Sequence, residues 1–514
     1  MYSRSNSYVL CSALLVCNGI GSMVTGQTRA NDLSKPNVIV VLADDLGYGD
    51  VSSYGARKIQ TPNMDRLAKT GLRFTQGYAT SATSTPSRYA LMTGMYPWKN
   101  KDAKILAGDA PLIISPSMQT LPKVMQEAGY KTAAIGKWHL GLGGGNVDWN
   151  KKVSPNPSDI GYEYSYIQAA TNDRVPCVYV ENGWVDGLDP KDPIFVSYKA
   201  NFPGEPTGKE NPEMLKMHPS HGHDMSIVNG VSRIGFMKGG KKALWTDETM
   251  AEVFLDKAKS FINTNQGSPF FMYFGLHQPH VPRVPNEKFI GKSGMGARGD
   301  AILEADWMLG ELLAQLDALG LTENTLIIFS SDNGPVVDDG YKDDAVELLG
   351  DHKPAGPLRG GKYSLFDGGT RVPFITSWPA RIKPGVSDAM VCQMDILTSL
   401  AALVGVELRE TKDGENLLQT FIGKSTKGRS NLVIEGIRNL AYRDGDWVMI
   451  PPHAGPSFQK LTGTETGRLP EYQLYNLADD IHEDINLAKT EPKRLAKMKA
   501  AFEKLSAAAL TLSE

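Results

Sequence analysis

Short, continuous apolar runs that end in polar residues recur along the chain. Pro36-Asn-Val-Ile-Val-Val-Leu-Ala43 runs into Asp44-Asp45, and Leu326-Ile-Ile-Phe329 runs into Ser-Ser-Asp332-Asn333-Gly334. Runs of the same shape stand at Lys131-Thr-Ala-Ala-Ile-Gly-Lys137 and Phe270-Phe-Met-Tyr-Phe274. Apolar residues at successive positions suit a strand covered on both faces, as in the middle of a parallel sheet. Between these runs the spacing turns helical. The clearest case has Ile302, Ala305, Leu309, Leu312, Leu313 and Leu316 on one stripe, stopped by Gly320. Alternating strands and helices predict an α/β fold built on a large, doubly wound, mostly parallel sheet.

From residue 431 the pattern changes. Leu432-Val-Ile-Glu435, Trp447-Val-Met-Ile450 and Gln473-Leu-Tyr-Asn-Leu477 read as short strands, followed by an Ala/Lys/Leu-rich helix from Pro492. The reading is a large α/β domain over 31–430 and a smaller antiparallel sheet with one packed helix over 431–514. Residues 141–242 are rich in Pro, Gly, Asn and Asp without clean periodicity, and are expected to wall a site.

Composition narrows the class. With 514 residues, 41% of them hydrophobic and 22% charged, the chain can bury a sizeable core, and 52 glycines with 31 prolines imply many turns. A net charge of -3 without a long Lys/Arg run gives no footprint for nucleic acid. Arg4, an apolar stretch over 8–20 and small residues around Val24 and Gly26 read as an export signal over 1–26, with a mature start near Gln27. That stretch is too short for a spanning helix, although an uncleaved anchor is the alternative. Cys17 after Leu-Leu-Val is a poor match to a lipoprotein box. The protein is therefore expected to be exported, periplasmic or secreted. Only Cys177 and Cys392 remain in the mature chain, which excludes a disulfide framework and leaves either one bridge or two unpaired thiols.

Ligands of open parallel sheets bind beyond the carboxyl ends of the strands, where polar clusters from distant segments converge. The most specific cluster is Ser84-Thr-Pro86-Ser87-Arg88, with Thr93-Gly94 after four further residues. Taken alone it could be a Ser-rich loop capping a helix. It resembles the type I sulfatase signature of the alkaline phosphatase superfamily, in which the first residue is oxidised to formylglycine. A serine there resembles the bacterial branch matured by a formylglycine-generating radical enzyme.

The resemblance runs from about Pro36 to Leu487. It implies that Asp44, Asp45, Asp332, Asn333 and the modified Ser84 hold a metal, and hard oxygen donors suit calcium better than zinc. Further matches are Gly136-Lys137-Trp138-His139-Leu-Gly141, His280 in Gln-Pro-His-Val-Pro, Arg359-Gly-Gly-Lys362, and Asp367-Gly-Gly-Thr-Arg371. The family more often has Glu where Asp367 stands, and no catalytic weight falls on it; His277 is read as a plain core residue.

The implied chemistry has Arg88 holding the hydrated aldehyde, one of whose oxygens attacks sulfur to give a covalent sulfated intermediate. Lys137 and Lys362 neutralise the sulfate, His280 protonates the leaving oxygen, and His139 takes the second proton as sulfate departs. The polar loop over 169–186 offers Asp173 and Arg174 for sugar hydroxyls, with His223 and His352 as further candidates. Their surroundings look similar to bacterial sulfatases acting on galactose or N-acetylgalactosamine sulfates of host or algal glycans. Two alternatives remain: a phosphate or phosphonate ester hydrolase of the same superfamily, and a sulfated-glycan binding protein with an idle serine.

Overall fold

The computed structural model describes residues 35–510, so the expected export signal over 1–26 lies outside the described residues. Ten strands form the central sheet among them: β1 (Asn37–Ala43), β2 (Leu72–Tyr78), β3 (Lys131–Lys137), β4 (Tyr164–Gln168), β5 (Tyr179–Glu181), β6 (Trp184–Val185), β7 (Phe270–Gly275), β8 (Thr325–Ser331), β9 (Phe374–Ser377) and β10 (Gly385–Cys392). Their order is β10-β2-β9-β8-β1-β7-β3-β4-β5-β6. The middle five, from β8 to β4, all run parallel, and each continuous apolar run noted above is one of them. Every residue of β1 is buried, as a strand with both faces covered requires.

The margins of the sheet are mixed. β9 lies antiparallel to both its neighbours, β5 turns back from β4, and β6 turns back from β5. β2 carries the half-buried sequence Leu-Arg-Phe-Thr-Gln-Gly-Tyr, too polar to stand out as an apolar run.

The helices among the described residues include α1 (Ser84–Thr93), α2 (Met250–Asn265) and α3 (Gly296–Ala318). The stripe on α3, from Ile302 to Leu316, is buried in the main core. All ten residues of α1 are buried despite the polar start Ser-Thr-Pro-Ser-Arg, and Gly94 ends it in the left-handed region at φ 68°. A wholly buried polar helix start calls for partners, and the site supplies them.

Beyond residue 430, β11 (Asn431–Glu435), β12 (Leu440–Asp444), β13 (Trp447–Ile450) and β14 (Gln473–Asn476) form an antiparallel sheet in chain order, followed by α4 (Pro492–Leu510). Its core is shared: Leu432, Ile434, Val448 and Met498 cluster with Leu365, Phe366, Met390 and Met394. The end of β11 also grips the segment leading to Ser84, since Glu435 N–H donates to the Thr80 carbonyl at 3.2 Å and Ala82 N–H to the Glu435 carbonyl at 2.7 Å. Cys177 and Cys392 are separate, buried free thiols, both pushed up by burial to about 12.

Candidate active site

β1 and β8 end side by side, with Ala43 opposite Ser331, and therefore release Asp44-Asp45 and Asp332-Asn333 at the same point. Ser84, the first residue of α1, is aimed into that cluster. Its Oγ donates to Asp332 Oδ2 at 2.5 Å and lies 3.2 Å from Asp44 Oδ1 and 3.4 Å from Asn333 Oδ1. Lys137, the last residue of β3, donates from Nζ to Ser84 Oγ at 2.8 Å and to Asp44 Oδ1 at 2.6 Å. The glycine before it is required: Gly136 has φ 95°, and a Cβ there would stand 2.0 Å from the Gly275 carbonyl of β7. Arg88, one turn along α1, binds Asp332 and also donates to the Tyr273 hydroxyl.

The acids fit a cation. Asp45 N–H donates to Asp332 Oδ1 at 3.2 Å and Asn333 Nδ2 to Asp45 Oδ1 at 2.7 Å, so three of the four residues beyond the strand ends lock together, while Asp44 is held by Lys137 and Ser84. Asp44 Oδ2 is buried with no hydrogen-bond partner, an orphaned acceptor that a cation would satisfy. Burial pushes the Asp44 carboxyl well above the usual carboxylate range; Lys137 opposes this, while Asp332 and Asp45 add to it. Asp332 goes the other way, because Arg88 and Lys137 outweigh its burial. Asp44, Asp45 and His280 can each bring a ligand atom within 4.8 Å of the others. Oxygen donors of this kind suit a hard divalent cation.

Above Ser84 lies a cavity of about 70 Å³, lined among others by His139, Asp173, Arg174, His223, His280 and Lys362. His139, at φ 56°, places Nε2 3.1 Å from the Leu106 carbonyl, which can only accept; the ring proton is therefore on Nε2, and the buried Nδ1 is a bare acceptor. Burial, then Lys137 and Arg174, hold this imidazole well below its ordinary value. His280 Nδ1 donates to the Val281 carbonyl at 2.6 Å, leaving Nε2 to face Asp45 Oδ2 at 3.9 Å. It too is held neutral by burial, Lys362 and Lys137. Lys362 donates to Asp45 Oδ2 at 2.9 Å and Asp339 Oδ2 at 2.7 Å, and these two acids keep its ammonium charged against the effect of burial.

At the rim, His223 Nε2 meets Asp173 Oδ2 at 2.9 Å, and Arg174 Nη1 donates to Asp173 Oδ1 at 2.8 Å. Gly340 lets the His223 ring in, since a Cβ there would lie 2.1 Å from Nδ1. Three of the four sugar-binding candidates thus share one cavity wall. His352 does not join them: its Nε2 is spent on Asp50 Oδ1 at 2.8 Å, beside an Arg298 fork on the same carboxylate, and it faces a different cavity. The expectation that it reaches the sugar is corrected accordingly, because a buried Asp50 needs both partners. Asp367 accepts hydrogen bonds from Tyr78 and Arg371. Sequence reasoning misses Asp339 and Tyr363, which line the cavity beside Lys362; the only signal for them is their nearness to Asn333 and Lys362 along the chain.

Comparison with known proteins agrees with this geometry. A sequence profile of the family described as Sulfatase matches residues 36–406. The chain is 50% identical to an N-acetylgalactosamine-6-O-sulfatase of Bacteroides thetaiotaomicron over 507 residues, covering 98% of this chain and 99% of the relative. It is 31% identical to human arylsulfatase A, covering 77% of this chain and 70% of that one. A solved Bacteroides thetaiotaomicron structure described under metabolism of multiple glycosaminoglycans superposes with a TM-score of 0.91 at 49% identity, covering 92% of this chain and all of that one. With a matching sheet and the Ser84 motif seated on paired acids, this chain belongs to the sulfatase family.

Proposed function

We propose that the protein hydrolyses the sulfate ester of a galactose-type sugar, with N-acetylgalactosamine 6-sulfate as the first candidate, using an oxidised Ser84 and a calcium ion. The carrying observation is the position of Ser84 Oγ at the floor of the cavity, between the Lys137 ammonium and the side-chain oxygens of Asp44, Asp332 and Asn333. The sugar assignment draws on the Bacteroides relative and on the Asp173–Arg174–His223 rim.

Asp44, Asp45, Asp332, Asn333 and the modified Ser84 are the residues that would hold the calcium. When bound, the calcium supplies positive charge to the sulfate, and the hydrated aldehyde of residue 84 supplies the nucleophilic oxygen. The protein's own groups do the rest. Lys137 and Lys362 stand on two sides of the floor and offset the ester's negative oxygens as charge builds on them. Arg88 fixes the start of α1 against Asp332, which holds residue 84 in register with the acids. His139 offers the bare Nδ1 as proton acceptor. His280 must take a proton on Nε2 before it can give one to the leaving oxygen, and an anionic ester, by offsetting Lys362 and Lys137, favours that uptake.

Export to the periplasm or beyond belongs to the same proposal, and among the described residues no helix is long and apolar enough to cross a membrane. The test is release of free sulfate from N-acetylgalactosamine 6-sulfate by protein made in its own host, alongside the matching phosphate ester and metal analysis. Faster phosphate release, or active enzyme that contains zinc or no metal, would overturn the assignment.

A further inference from the structure

Asp339 sits on the cavity wall and gives one carboxylate oxygen to each of two successive side chains. Lys362 Nζ donates to Oδ2 at 2.7 Å, and the Tyr363 hydroxyl donates to Oδ1 at 3.0 Å. Tyr363 is held at φ 75°, an outlier for a bulky side chain, and such strain persists only where its surroundings impose it. Its backbone N–H donates to the Ala82 carbonyl at 2.9 Å, on the segment leading to Ser84. Asp339 thus fastens two side chains of a stretch of chain whose backbone is itself fastened to the nucleophile segment.

Lys362 is shared. The same ammonium that binds Asp339 also donates to Asp45 Oδ2 at 2.9 Å. Asp45 is one of the acids assigned to the metal, and a cation arriving there meets the ammonium on the same carboxylate, where the two positive charges repel. Among the described residues, Asp339 is the other carboxylate within ion-pair distance of Lys362. It is buried, so its attraction for the ammonium is weakly screened.

From these contacts we infer that Asp339 is a positioning residue, which draws Lys362 off Asp45 when the metal binds and holds its ammonium over the cavity for the ester oxygens. The inference rests on the calcium-dependent sulfatase reading above. Without Asp339, Lys362 has Asp45 alone to lean on and competes with the cation for it.

A double-mutant cycle tests this through metal binding, independently of turnover. Calcium affinity is measured by titration calorimetry on metal-free full-length protein as parent, Asp339→Asn, Lys362→Met and the double variant. Asp339→Asn is expected to raise the calcium Kd about tenfold where Lys362 is present, and less than about twofold in the Lys362→Met background. An equal loss in both backgrounds would mean that Asp339 acts only as a distant charge, and that result, or no loss in either, overturns the inference. Should the Asn variant fail to fold, Asp339→Ser removes the same charge and is read the same way. If the parent binds calcium and releases sulfate but the cycle is additive, this inference alone fails. If the parent does neither, the functional reading fails and takes this one with it.

Discussion

Arg88 closes on Asp332 with two nitrogens, Nε at 3.0 Å and Nη2 at 2.7 Å, both on the same oxygen that Ser84 Oγ approaches at 2.5 Å. Both side chains are fully buried. Removing one partner of such a pair leaves a buried charge uncompensated, which costs about 3–5 kcal/mol. Arg88→Met should fall at the lower end, near about 3 kcal/mol, because Lys137 Nζ remains 3.6 Å from Asp332. Denaturant unfolding against the parent measures it. A loss under about 1 kcal/mol would show that Arg88 does not carry the charge balance of this cluster.

Ser84 should carry the modification. Protein from its native host is expected to yield a Ser84 peptide lighter by about 2 Da than the encoded sequence, from loss of two hydrogens. Ser84→Ala should have no measurable turnover while retaining its fold by circular dichroism. An unmodified peptide from fully active protein would refute the oxidised-serine chemistry.

Much of this site is legible in the sequence because its acids and Lys137 follow continuous apolar runs, and such runs become central parallel strands with their carboxyl ends at one place. The stripe on α3 is equally plain. Less visible are β2 and β9, whose composition is mixed because they lie toward the sheet margin, and the antiparallel turn of β9, which no residue pattern announces. His352 misleads because nearness to Lys362 along the chain does not place two side chains in one cavity; its partner Asp50 comes from the other end of the sequence. Asp339 escapes for the converse reason: an acid in a Gly/Asp-rich loop is ordinarily solvated, and only tertiary structure sets it beneath Lys362.

His139 should act on turnover rather than binding. With Nε2 tied to Leu106 and Nδ1 free, it accepts a proton but contributes no charge to hold the ester. His139→Ala is expected to lower kcat by about 10²–10⁴-fold, the usual range for a lost acid–base group, with KM changed far less. Steady-state kinetics separate the two, and a change confined to KM would reassign the residue to substrate binding.

His223 should titrate above an ordinary histidine. Burial lowers its value, but the hydrogen bond and charge of Asp173 outweigh burial and raise it. A raised folded value means that this pair's stabilisation is complete below the unfolded value of ~6.5 and is lost as pH rises through the folded one. Asp173 is depressed, since Arg174 and His223 outweigh its burial, so its own contribution is present above the unfolded carboxylate value and lost on acidification through the folded one. NMR titration of the His223 ring checks the first statement. In Asp173→Asn, burial and Arg174 are opposed by the bond to the His221 carbonyl but no longer by a carboxylate, and the His223 value should fall from that of the parent; a titration unmoved by that substitution would mean that the contact is absent in solution.

Substrate choice should follow the same rim. Asp173 is fixed by Thr171, Arg174 and His223 together, so its oxygens and the Arg174 guanidinium cannot readily swing to follow a displaced hydroxyl. Sugars of the galactose and glucose series differ in the direction of one ring hydroxyl. The epimer that fails to meet this rim leaves a buried polar group unpaired, at a cost of about 1–3 kcal/mol. Since 1.4 kcal/mol is a factor of ten, kcat/KM should favour N-acetylgalactosamine 6-sulfate over its glucosamine counterpart by about 5–140-fold. Arg174→Ala removes a fixed donor and should narrow that ratio to within about threefold. His352→Ala, which disturbs only the Asp50–Arg298 cluster, should lower thermal stability and leave the ratio where it was. Equal rates on the two sugars, or a ratio that survives Arg174→Ala but collapses in His352→Ala, would place sugar recognition elsewhere in the molecule.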